Sequence, residues 1–155
     1  MRPIKSSGIL ATNKRVIMMK KPYFLLPLVY AISVAANIRE IAKGSAASWV
    51  GTCFTVAFLL AWIVLLILLS TKKFNHIMLG YWAVTCIIAI VVWIGNLYDF
   101  STEFLIPGIV LFVTPLYGIS ITGISTNTTV VAIIFISLLF IVCCLLRRNQ
   151  AQKEK

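Results

Sequence analysis

The sequence predicts an all-α integral membrane protein: four transmembrane helices plus a Pro/Gly-broken segment that is either re-entrant or a fifth hydrophobic pass. Three observations carry that prediction. Hydrophobic residues fill 61% of the 155 positions and charged residues 12%, against about 45–50% and about 25% in soluble domains. A soluble fold of this length leaves much of its chain at the surface and cannot hide such an excess, whereas lipid removes the need to hide it. The apolar residues also fall in runs near the ~20 needed to cross ~30 Å of hydrocarbon. Finally, the 14 Lys and Arg residues stand at the ends of those runs, as flanking charges that orient helices do.

Residues 1–21 are polar and basic (Arg2, Lys5, Lys14, Arg15, Lys20, Lys21) and predict a disordered cytoplasmic arm. Met18 and Met19 offer a second translation start that would omit the first 17 residues. Residues 22–148 predict one membrane domain. Its first span runs from about 23 to 38, with a kink expected at Pro27. The same stretch, with two lysines before it and the small run Ser33-Val34-Ala35-Ala36 within it, also suits a cleaved secretory signal. Against cleavage, Ala31, Ala35 and Ala36 suit a packing face for a neighbouring helix.

The second span, about 49–70, is free of charge and ends at Lys72-Lys73. The third, about 77–97, follows Asn75, a plausible N-cap. The last, about 130–146, is entered through the polar cluster Ser125–Thr129 and stopped by Arg147-Arg148. A cytoplasmic tail follows at 149–155. Small residues recur four apart at Ala31/Ala35, Gly51/Thr55, Ala57/Ala61 and Thr85/Ala89, a spacing that lets helices approach. Tyr23 and Tyr81 sit near the inner interface, and Trp49, Trp93 and Tyr98 near the outer, where aromatic rings anchor helices.

The segment 104–123 is uncharged and long enough to cross, yet it holds Pro107, Gly108, Pro115, Gly118 and Gly123. Charge separates its two readings. With both termini cytoplasmic, four spans and a re-entrant 104–123 leave only Arg39 and Lys43 outside among the 14 basic residues. Five full spans move Arg147, Arg148, Lys153 and Lys155 outside as well, against the positive-inside rule. The four-span arrangement is therefore expected, in the cell membrane. Irregular backbone at membrane depth must then be shielded by protein or water, so 104–123 is expected to pack against the other helices or a partner.

The net charge of +10 does not indicate nucleic acid, because the basic residues flank spans instead of covering one face. They are suited to anionic lipid head groups. Cys53, Cys86, Cys143 and Cys144 lie inside apolar runs without a C-x-x-C spacing, so neither a disulfide framework nor a metal site is predicted. Cys143-Cys144 before Leu-Leu-Arg-Arg is a weak juxtamembrane acylation pattern. Asn127-Thr128-Thr129 is a formal glycosylation sequon whose plainer role is a turn and cap.

No carboxylate lies within a predicted span, the acids being Glu40, Asp99, Glu103 and Glu154. Ion-coupled transport and proton relays usually place one at membrane depth. Glu40, Asn96, Asp99 and Glu103 form a candidate outer polar rim, with Asn96, Asp99 and Glu103 spaced for one helix face. They are too few for an oxygen-ligand calcium site. Arg39-Glu40 is placed to pair with Asp99 or Glu103 across the outer loops. His76, the single histidine, is a candidate at the inner interface, although no nucleophile or carboxylate accompanies it, as base catalysis would need. No catalytic residue, cofactor or metal is predicted. The expected function is a non-enzymatic accessory or interaction subunit of a membrane assembly, or an immunity-type protector, partnered by another membrane protein or by itself. The competing expectation is a small self-associating channel or facilitator whose path is lined by 104–123.

Overall fold

The computed structural model describes residues 26–69, 71–120 and 124–153, and within them the chain is helical without strands. The expected basic arm and second translation start, the Tyr23 anchor and part of the backbone around Pro27 lie outside the described residues. Among the described residues, three helices are long and apolar enough to cross a membrane.

Helix α1 covers 26–43, five residues past the expected end of the first span. It carries Arg39, Glu40 and Lys43 in its last turns, and the Ser33–Ala36 run lies mid-helix. Helix α2, Trp49–Leu68, is capped by Ser48, whose Oγ accepts from Gly51 N at 3.1 Å. Such a cap supplies an acceptor to one of the four N–H groups left open at a helix start. After a short turn, α3 covers Lys72–Tyr98. Its cap is Thr71, which accepts from Phe74 N at 3.3 Å, so the expected start at Asn75 is corrected by one turn. Asn75 instead donates through Nδ2 to Cys144 O at 3.3 Å. α3 ends where Asp99 turns left-handed at φ 51°, a conformation its short polar side chain tolerates.

The last long helix, Thr126–Lys153, is here α5. Ser125 caps it, its Oγ accepting from Thr128 N at 3.2 Å. It begins four residues before the expected span and continues into the expected tail. Between α3 and α5 lies α4, Glu103–Ile119. It begins as a 3-10 turn, is briefly α-helical, widens into a π turn over Ile109–Val113 and closes as a 3-10 turn over Thr114–Ile119. Pro107 and Pro115 explain the irregularity, since each removes a backbone donor and crowds the preceding turn.

Sequential long helices run antiparallel. Between α1 and α2, Asn37 meets Thr55 at 3.0 Å and the Tyr30 ring meets Phe58 at 6.0 Å. Trp62 packs on Phe74 and Phe58 on Tyr81, ordering α2 against α3. Trp82 stacks on Phe140 with ring centroids 4.2 Å apart and planes 3° from parallel, and with Asn75–Cys144 this orders α3 against α5. The bundle therefore has a Trp49–Tyr98 end and a Leu68–Lys72 end. Its core is aromatic and aliphatic: Phe58, Met78, Trp82, Leu116 and Ile133 are fully buried. Two expected packing positions are corrected. Ala31 and Ala35 face outward, while Ser33 and Asn37 form the buried face of α1.

Both ends of α4 meet the Trp49–Tyr98 end. At its start, Thr102 packs on Gly95 of α3. Midway, Tyr30 Oη donates to Leu111 O at 2.6 Å, and the Phe112 ring lies 5.4 Å from Tyr81. At its finish, Tyr117 Oη donates to Ser45 O at 3.0 Å and Ala47 N donates to Ser120 O at 2.6 Å.

Candidate functional site

Buried polar side chains of α1 and α2 meet the second half of α4 in one cluster. The cause is local. Pro115 has no N–H, so Leu111 C=O loses the donor an α-helix would supply four residues later; the Tyr30 hydroxyl reaches that carbonyl from α1. Pro115 O accepts from Ser33 Oγ at 2.8 Å and from Thr55 Oγ1 at 2.9 Å, using both lone pairs. Thr55 Oγ1 in turn accepts from Asn37 Nδ2 at 3.0 Å and from Gly118 N at 3.2 Å. A hydroxyl offers one donor and two acceptor positions, and this one has all three filled. Thr52 Oγ1 stands 2.9 Å from Gly118 O and 3.1 Å from Ser48 O, one proton between two acceptors.

Two glycines make the approach possible. A Cβ on Gly118 would collide with Thr55 Oγ1 and with the backbone oxygen of Gly51. A Cβ on Gly51 would occupy the place of Asn37 Oδ1. That oxygen has no conventional donor; it lies along the Cα–H direction of Gly51, a weak contact that close backbone approach permits. Ser33, Asn37, Thr55 and Thr114 are all at most 1% exposed. Chemically the cluster is a set of neutral hydrogen bonds without a free nucleophile, base or charge, and its arrangement holds backbone.

The predicted site residues are distributed elsewhere. Asn96, Asp99 and Glu103 line one open cleft of about 890 Å³ at the Trp49–Tyr98 end, with Thr102, Thr126 and Asn127. They do so from three pieces of chain: the end of α3, its C-cap and the start of α4. The expected single helix face is thus corrected, because α3 stops at Tyr98. Glu40 is not among the cleft residues; its backbone carbonyl accepts from Ser45 N at 3.1 Å at the end of α1. His76 is exposed at the opposite end, its Nδ1 2.8 Å from Lys72 O. Among the described residues no three His, Cys, Asp or Glu side chains gather as a metal site, and the four cysteines are free thiols.

Reading the sequence missed Ser33, Asn37, Thr52, Pro115 and Gly118 as one cluster, and took Gly51/Thr55 for ordinary helix packing. The available signal was a coincidence of needs: two proline-broken turns lacking donors, and small hydroxyl and amide residues inside otherwise apolar runs. Fold and site together define a class: among the described residues, an all-α protein with three helices of membrane-crossing length and polarity. No protein-family model, no curated protein and no solved structure matches the chain.

Proposed function

We propose that the chain is a multi-pass cell-membrane protein that acts without catalysis, as an accessory or interaction subunit of a membrane assembly or as an immunity-type protector. In this reading α1, α2, α3 and α5 cross the bilayer, α4 enters and returns on the outer side, and both termini are cytoplasmic. The contacts at both ends of α4 and the Lys/Arg distribution support that topology.

One observation carries the functional reading. The hydroxyls of Ser33, Thr52, Thr55, Thr85, Thr114 and Ser137 each bond to a backbone carbonyl of the chain itself. No charged residue is fully buried among the described residues; the buried charged atoms, Glu40 Oε2 and Arg147 Nη1, stand at the two ends of the bundle. A transport path or reaction site in lipid needs polar groups left available at depth. Here these hydroxyls close the fold, and Trp62 Nε1, Tyr81 Oη and Trp82 Nε1, unpartnered among the described residues, are neutral groups enclosed in the aromatic core. The same observation weighs against a channel lined by α4, because the carbonyls of Pro115 and Gly118 already have donors. What remains for recognition is the lipid-level surface and the outer cleft at Asn96, Asp99 and Glu103.

Purification in mild detergent tests the reading: a stoichiometric membrane protein, or a second copy, is expected to accompany the chain. A clean monomer that moves ions or small solutes across liposomes would overturn it. Topology is tested separately by single cysteines at Leu105, Ser125 and Gln150 in a background without the four native thiols. Impermeant reagent is expected to reach the first two from outside and the third only from inside.

A further inference from the structure

We infer that the Leu68–Lys72 end of the bundle holds a specific site for the phosphate of an anionic glycerophospholipid, built around Arg147. The inference rests on this end meeting a head-group layer, as proposed above. Arg147 is half-buried, and its guanidinium is fixed by one arm: Nη2 donates to Ile67 O at 3.2 Å, in the last turn of α2. Carbonyls at a helix C-terminus carry partial negative charge, which favours a cation there. The other arm, Nη1, is buried without a partner among the described residues. An orphaned buried donor on a permanent cation calls for an acceptor, and a guanidinium fork matches a phosphate oxygen pair better than a point charge does.

The surroundings set the ligand's sign. Asn75 joins α3 to α5 one turn from Arg147, through Nδ2 and Cys144 O. This brings the first turn of α3, with Lys72 and exposed Lys73, to the same end as Arg147 and exposed Arg148. The described acids, Glu40, Asp99 and Glu103, all stand at the opposite end. Asn75 Oδ1, an acceptor, is a second buried orphan at this end among the described residues. It suits a head group that carries a hydroxyl next to its phosphate, as phosphatidylglycerol does. Basic recesses between spans on the cytoplasmic side bind such head groups. Diffuse attraction of basic residues to a negative leaflet does not require a particular arginine; this site does.

The test is native mass spectrometry of the full chain released from nanodiscs of phosphatidylcholine with phosphatidylglycerol, counting retained lipids. Wild type is expected to retain phosphatidylglycerol over phosphatidylcholine. Arg147→Gln should lower that retention about tenfold, the loss of one charge-assisted hydrogen bond, and Arg148→Gln less than about threefold. Lys73→Gln, at an exposed position, provides a second reading should Arg147→Gln reduce helicity, and is expected to lower retention while leaving the fold intact. Equal retention of the two lipids overturns the site, as does equal weakening by Arg147→Gln and Arg148→Gln. Displacement by inorganic phosphate overturns the lipid as its source. A chain that does not enter phosphatidylcholine discs at all overturns the membrane reading with it.

Discussion

Along the α3–α5 seam the Trp82 indole lies flat on the Phe140 ring, and the buried hydroxyls of Thr85 and Ser137 bond back to their own helices, at Tyr81 O and Ile133 O. At the α1–α2–α4 corner the pattern reverses: Ser33, Thr52 and Thr55 reach across to carbonyls of another element. The seam joins two regular helices whose backbone groups are already paired, so side chains there need only pack. The corner must accommodate a helix broken by Pro115. In an apolar surrounding an unpaired carbonyl costs several kcal/mol, so neighbouring helices supply the missing donors. Similar residue types thus do different jobs according to what the adjacent backbone lacks.

The contrast can be broken most severely at Gly118. Gly118→Ala places a methyl against Thr55 Oγ1 and the Gly51 backbone oxygen, and the bundle should lose about 3 kcal/mol or more. Gly80→Ala, where the added atom meets nothing within 4 Å, should be neutral or slightly stabilising. Both are read as unfolding midpoints in mixed micelles; equal behaviour would remove close α2–α4 approach from the account. A step smaller is the threonine pair. Thr55→Val leaves Pro115 O with one donor fewer and strips partners from Asn37 Nδ2 and Gly118 N, for an expected loss of about 2 kcal/mol. Thr85→Val, equally buried, strands nothing and should stay within about 0.5 kcal/mol. Losses of similar size would mean that burial, not pairing across elements, decides the cost. The smallest effect is expected from Tyr30→Phe, about 1 kcal/mol. An unchanged midpoint there would show that Leu111 O finds a donor within α4.

Much of the fold was legible in the sequence because lipid imposes simple demands. Trp49–Leu68 emerges almost as the uncharged run between Ser48 and Lys72-Lys73. The start of α3 was read late because Lys72, Lys73 and Asn75 look like loop, although a helix tolerates them once Thr71 caps it. The spacing of Asn96, Asp99 and Glu103 suited one helix face, but Asp99 ends α3, so Glu103 approaches the cleft from a different element. Alanines 31 and 35 misled because small size is a weak signal in spans, where hydrogen-bonding capacity was the stronger one.

By itself, then, the sequence determined the solvent each segment prefers and where charge stops a helix, since both depend only on local composition. The tertiary structure decided which donors meet the backbone that Pro115 leaves open, and therefore why Ser33, Asn37, Thr52 and Thr55 stand where they do. That pairing joins residues 60 to 82 positions apart, and it exists only once α1, α2 and α4 are folded against one another.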